Sequence, residues 1–115
     1  MSDHRAASGA ELLRGHLDAL LLAVLADRPV HGYAVIEALR QRSAGAFDLA
    51  EGTVYPALHR LERDGLLSST WGPEAGRPRR VYALTLRGAD ALAGHRGTWR
   101  TFSDAVERVL TEEVR

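Results

Sequence analysis

The chain has 115 residues, of which 45% are hydrophobic, and this is typical of one globular domain with a single core. It contains no cysteine, which excludes disulfides, thiolate metal sites and cysteine nucleophiles. Its 15 basic residues, all arginine, balance 15 acidic residues, and this zero net charge argues against indiscriminate binding to polyanions.

The N-terminal part predicts a tail followed by two helices. Residues 1–9 are small and polar and are expected to form a flexible tail. Leucines surround most of a first helix over residues 11–26, which predicts that a second subunit covers part of it. Its apolar run is too short to span a membrane. A second helix is predicted over residues 32–43, with His31 at its start, and Asp18 and Glu37 are interpreted as isolated charges on these helices.

A third helix is predicted over residues 52–66, with Val54, Leu58 and Leu61 facing inward and Gly65 as its left-handed stop. Thr53 is a candidate N-cap, which would place Pro56 in the first turn. The candidate DNA-contacting side chains of this helix are Thr53, Tyr55, His59, Arg60 and Arg63.

Structural interpretations of these side chains stay open. Thr53 could act only as a cap, and Tyr55 could bury its ring and offer only its hydroxyl to a phosphate. Arg60 and Arg63 are predicted to lie on the outer face, where both could simply be solvated, with Arg63 pairing Glu62 or Asp64.

A basic hairpin is predicted next, with strands over residues 66–71 and 81–84 joined by a loop rich in glycine and proline. Arg77, Arg79 and Arg80 are expected at its tip, where three like charges repel one another and gain nothing structural. This pattern favours contact with phosphates. The Trp71 side chain is expected to pack against the hairpin.

A last helix is predicted from Leu86 to about Val114, with Thr85 as its cap. Leu92, Trp99 and Val106 recur every seven residues and have Phe102, Val109 and Leu110 beside them. This spacing is typical of a short coiled-coil seam, which we interpret as the dimer contact. The predicted dimer or effector surface comprises Leu17, Leu21, Leu92, Trp99, Phe102, Val106 and Leu110.

Catalytic and metal-binding patterns are not found in the sequence. The five histidines have no metal-ligand spacing, and there is no nucleophile elbow, phosphate-binding glycine loop or pair of carboxylates. We therefore expect neither enzymatic activity nor a metal or other cofactor.

Several motifs, in order and spacing, resemble the PadR-like transcriptional regulators, specifically the smaller members with one C-terminal helix. The resemblance covers about residues 12–93 and is carried by the leucine-rich first helix and by His31-Gly32-Tyr33, Gly52-Thr53-Val54-Tyr55-Pro56-Ala57-Leu58-His59-Arg60-Leu61-Glu62, Gly65-Leu66, Gly76-Arg77-Pro78-Arg79-Arg80 and Tyr82-Ala83-Leu84-Thr85-Leu86-Arg87-Gly88.

The resemblance implies a mainly α fold with a small β-ribbon: a winged helix-turn-helix domain over residues 10–85 and a C-terminal dimerisation helix over residues 86–115. It also implies a cytoplasmic homodimeric repressor that responds to an effector and binds an inverted-repeat operator in double-stranded DNA. In this family the third helix enters the major groove, the wing touches backbone or minor groove, and the last helix packs on the partner's first helix.

A planar hydrophobic effector between the subunits, stacked on Trp99, is one hypothesis, and plain dimer packing of Trp99 and Phe102 is the other. Two functions without DNA binding also stay open: a winged-helix protein-interaction module, favoured by the zero net charge, and a small-molecule sensor centred on Trp99.

Overall fold

The computed structural model describes residues 13, 15–73, 76 and 78–112. The predicted tail 1–9 and Arg77 lie outside the described residues. Within the described part, the helices are α1 (Leu17–Asp27), α2 (Gly32–Arg42), α3 (Glu51–Arg63) and α4 (Leu86–Thr111), and the strands are β1 (Val30–His31), β2 (Leu67–Trp71) and β3 (Arg80–Leu84).

The predicted ribbon is part of an antiparallel sheet with the strand order β1-β3-β2. β2 and β3 pair from Leu67 opposite Leu84 to Trp71 opposite Arg80. β1 adds Val30 opposite Tyr82 and His31 opposite Val81, and the sequence did not predict it because two residues are too few for an alternating pattern. The sheet thereby ties the start of α2 to the wing, the β2–β3 hairpin.

The core lies between the first three helices, the sheet and the start of α4. α1 contributes Leu21, Leu22, Val24 and Leu25, and α3 contributes Val54, Ala57, Leu58 and Leu61. Tyr82 of β3 is 2% exposed and belongs to the same cluster. Most of the leucine-rich first helix is therefore covered within one protomer.

The helix ends follow local backbone signals, some of which the sequence predicted. Gly65 adopts a φ of +83°, and the Leu66 N–H donates to the Leu61 carbonyl at 2.9 Å, which confirms the left-handed stop of α3. Thr85 Oγ1 accepts from the Gly88 N–H at 3.0 Å, which confirms its role as the cap of α4. His31 likewise caps α2 by accepting from the Ala34 N–H.

Two helix starts differ from the prediction. In the described residues α1 begins at Leu17 rather than at residue 11, and just before it Gly15 has a left-handed φ of +86°. α3 begins at Glu51, so Ala50 occupies the N-cap position and the prediction of Thr53 as the cap was wrong. Pro56 consequently lies beyond the first turn of α3.

α4 leaves the core after its first two turns. Of its 26 residues, only Gly88 and Leu92 are buried, and the remainder presents most side chains to solvent. In the described part of the chain, no helix has both the length and the apolar character needed to cross a bilayer.

Candidate nucleic-acid interface and subunit seam

One face of α3 is free of the protein core. While Val54, Ala57, Leu58 and Leu61 are buried, the exposed side follows the complementary three- and four-residue spacing. The exposed residues are Glu51, Gly52, Thr53, Pro56, His59 and Arg63. Of the predicted contacts on this helix, Thr53, His59 and Arg63 therefore share an accessible face.

Tyr55 connects α3 to the start of α2. A Cβ atom built on Gly32 would lie 2.5 Å from Tyr55 Cε1, so any side chain at this position would have to displace the ring. The Tyr55 ring centroid lies 6.4 Å from that of His59. The ring thus has the packing role that was one of its two predicted interpretations, and it links the exposed face of α3 to α2.

Arg60 forms a bidentate ion pair with Asp18 of α1. Nη1 donates to Asp18 Oδ2 at 2.9 Å, and Nη2 donates to Oδ1 at 2.6 Å. This hydrogen bonding and the carboxylate charge raise the pKa of Arg60 above its ordinary value. The interpretation of Asp18 as an isolated charge was wrong, because residues 42 positions apart meet only in the folded chain.

Glu37 is not isolated either. Its Oε1 accepts from Arg40 Nη2 at 2.6 Å, one helical turn along α2. The nearby acid and base therefore neutralise each other on the surface of this helix.

Arg80 lies in β3 rather than at the tip of the hairpin, and it has structural partners that the sequence did not predict. Its Nη2 and Nε donate to Ser69 Oγ at 2.7 and 3.1 Å, and its guanidinium lies 4.9 Å from the Trp71 ring centroid. Ser69 donates in turn to Glu62 Oε2 at 2.6 Å, which ties the wing to α3. Trp71 stays 64% exposed and packs on the ribbon through Arg80.

Arg79 is exposed at the entrance to β3, and its Nη1 lies 3.1 Å from His31 Nε2. Arg63 is exposed and forms no ion pair with another described residue. Arg60 pairs with Asp18, and Arg80 Nη2 lies 3.7 Å from Glu62 Oε2, whereas Arg63 and Arg79 are not held by a carboxylate of the described residues.

The predicted seam on α4 is an exposed apolar stripe. Trp99 is 53% exposed, Phe102 is 58% exposed, and Val106 and Leu110 continue the stripe at helical spacing. The Trp99 and His16 rings form a T-shaped pair with 5.2 Å between their centroids, at the N-terminus of α1.

Two residues of the predicted dimer surface are not on it. Leu21 is 0% exposed and Leu92 is 4% exposed, because the first turns of α4 pack against α1 inside one protomer. Their assignment to the dimer or effector surface was wrong. Leu17 is half-buried against the same core.

Comparison with known proteins gives both a family and a fold. The model of the Transcriptional regulator PadR-like family matches residues 21–94. A transcriptional regulator from Mycobacterium tuberculosis is 41% identical over 85 residues, which cover 74% of this chain and 74% of that protein.

Solved structures of other proteins match the fold of this protein over nearly the whole chain. The crystal structure of a PadR family transcriptional regulator from Eggerthella lenta matches with a TM-score of 0.79 and 33% identity, covering 90% of this chain and 89% of that one. A PadR-like transcriptional regulator from Bacillus cereus matches with a TM-score of 0.79 and 27% identity, covering 90% and 99%. With its winged helix-turn-helix fold, this chain belongs to the PadR-like family of transcriptional regulators.

Proposed function

We propose that the protein is a homodimeric regulator that binds an inverted-repeat operator through the exposed face of α3 and the wing. The observation that carries this proposal is the series of contacts that joins the exposed face of α3 to the wing. His59 faces Tyr55, Tyr55 packs on Gly32 at the start of α2, and the preceding residue, His31, meets Arg79 of the wing.

The two parts of this surface would do different work on DNA. A helix face of this width fits the major groove, where Thr53 in the first turn of α3 and His59 in its C-terminal half could reach base edges. Arg63 and Arg79 would bind phosphates and fix the register of the helix, with Arg77 as a further phosphate contact. Arg60 is left out of this contact set, because Asp18 accepts from both of its terminal nitrogens and holds the guanidinium beside α1.

The second subunit would be held by the exposed stripe of α4. Trp99, Phe102, Val106 and Leu110 form an apolar row that water covers in a lone protomer, and such rows generally mark subunit contacts. Two copies joined there would present two α3 helices to half-sites about one helical turn apart.

Repression by such a dimer could respond to a small molecule. A planar apolar effector stacked on the exposed Trp99 ring would change the spacing of the two α3 helices only if it bound the two dimer shapes with different affinity. Because the proposed partner is chromosomal DNA, we expect the protein in the cytoplasm.

DNA binding is tested with the duplex that lies upstream of the protein's own coding sequence, titrated across a salt series. We expect Arg63→Ala to weaken binding and to reduce the slope of log affinity against log salt by about 0.9, because one phosphate contact is lost. Arg108→Ala is the matched control: it removes the same charge from an exposed position near the end of α4 and should bind as the parent protein does. A parent protein whose affinity is flat with salt, or an Arg63→Ala variant that matches the control, would contradict the proposal.

A further inference from the structure

We propose that His31 and Arg79 together hold one phosphate of the DNA backbone, at the junction between α2 and the wing. The phosphate oxygen would accept one hydrogen bond from the imidazole and one from the guanidinium. This inference rests on the proposed function and adds His31, which no part of the sequence pattern assigned to DNA.

Two contacts of His31 bear on which of its nitrogens donates. Nδ1 accepts from the Ala34 N–H at 3.3 Å and so carries no hydrogen. A neutral imidazole with an unprotonated Nδ1 carries its hydrogen on Nε2. In the tautomer that keeps this cap, Nε2 faces Arg79 as a donor, whereas in the other tautomer Nε2 accepts from Arg79 and the cap is lost.

Arg79 also has only donors to offer, since a guanidinium has no acceptor. Its Nη1 lies 3.1 Å from His31 Nε2, so in the tautomer that caps α2 two N–H groups face each other and do not bond. Among the described residues, neither group has another side-chain hydrogen-bond partner. What completes this arrangement is an acceptor, and an anionic oxygen is the strongest one.

The backbone holds the two side chains at this distance. His31 pairs with Val81 in the sheet, and Arg79 immediately precedes the strand that contains Val81. The Arg79 carbonyl accepts from the Gly72 N–H at 2.6 Å, which fixes the other side of the wing. Little ordering of the chain is therefore needed when a phosphate binds.

The neighbouring acids do not oppose an anion strongly. Asp27 and Glu37 line the same open cleft as His31 and Arg79. Both acids are in ion pairs: Asp27 Oδ2 lies 3.4 Å from Arg42 Nη2, and Glu37 Oε1 lies 2.6 Å from Arg40 Nη2. Arg28 adds a further positive charge to the lining.

A backbone phosphate fits better than a free anion. Both groups are accessible to solvent, and two accessible donors hold a small anion weakly against water. A duplex bound to α3 has already lost its translational and rotational entropy. Its phosphate can therefore bind at this position without losing that entropy a second time. The contacts from His59 through Tyr55 to Gly32 lead to the residue next to His31.

Two substitutions of His31 separate its two roles. In His31→Asn the side-chain oxygen can still cap α2, as asparagine commonly does, but no atom replaces Nε2. In His31→Gln the amide reaches the position of Nε2, but the cap is lost. We expect His31→Asn to keep the melting temperature and to bind a random-sequence duplex about fivefold more weakly, and His31→Gln to melt lower while it keeps most of the affinity.

The salt dependence and the double variant identify the shared phosphate. Arg79→Ala should reduce the salt slope by about 0.9, whereas His31→Asn should leave the slope unchanged because a neutral donor releases no counterion. The loss in the double variant should be smaller than the product of the two single losses, since both groups bind the same phosphate. Arg108→Ala again controls for charge.

The outcomes distinguish this inference from the proposed function. If the parent protein binds no duplex, both fail. If the parent binds but His31→Asn matches it, or if the single losses multiply fully, the shared phosphate is overturned while DNA binding stands. The phosphate could instead be a free ion, so inorganic phosphate is titrated against the protein with chloride at equal ionic strength as the control. If His31→Asn abolishes binding of the free ion but does not weaken binding to DNA, the pair is assigned to a free anion and the DNA contact is overturned.

Discussion

At the scale of single residues, Gly88 shows how closely the elements that carry the site are packed. A Cβ atom on Gly88 would lie 2.1 Å from the Leu66 carbonyl oxygen and 2.7 Å from Leu84 Cδ1. The first turn of α4 therefore rests directly on the backbone at the start of the wing. Because backbone cannot move aside as a flexible side chain can, this contact requires glycine.

The prediction at this scale is that Gly88→Ala lowers the free energy of unfolding by about 1–3 kcal/mol, the usual effect of overpacking. Gly94→Ala is the control on the same helix, where a Cβ atom meets nothing within 4 Å. It should raise stability by up to about 1 kcal/mol through helix propensity. Denaturant unfolding of both variants measures the difference, and equal effects of the two would contradict the packing argument.

At the scale of elements, the pair between Asp18 and Arg60 fastens α3 to α1. The two side chains are 35% and 42% exposed, so solvent screens much of their attraction. The pair still matters for geometry, because it fixes the orientation of the helix that is proposed to enter the groove.

Arg60→Ala is accordingly predicted to lower the free energy of unfolding by about 0.5–1 kcal/mol and to leave the salt slope of DNA binding unchanged. Thermal unfolding and the same salt series check the two parts together. A slope reduced by about 0.9 would instead show that Arg60 leaves Asp18 and contacts a phosphate.

Local signals made several elements predictable from the sequence. The glycine after α3, the threonine before α4 and the histidine before α2 act through bonds to neighbours a few residues away, so their residue types indicate the helix ends. The apolar stripe of α4 beyond Trp99 was equally visible from its spacing.

Long-range pairing was what the sequence could not predict. Nothing local indicates that Asp18 meets Arg60, or that Arg80 meets Ser69 and Trp71 across the wing. Heptad spacing likewise places Leu92 and Trp99 on one stripe, but the core covers the first and leaves the second exposed. Both assignments need the tertiary fold.

At the scale of the whole molecule, the compact winged domain is proposed to bind DNA and the long α4 is proposed to hold the second subunit. The winged domain carries the accessible face of α3 and the wing cations, while α4 extends from the core with Trp99, Phe102 and Leu110 uncovered. A second copy would cover this stripe and bring a second α3 to the same duplex. Symmetry of the protein would then appear as symmetry in the DNA.

Sequencing of duplexes that the protein selects from a random pool tests this account most directly. We predict enrichment of an inverted repeat whose half-sites are about one helical turn apart. Recovery of a single asymmetric site, or no enrichment over the starting pool, would contradict the proposed dimer on DNA.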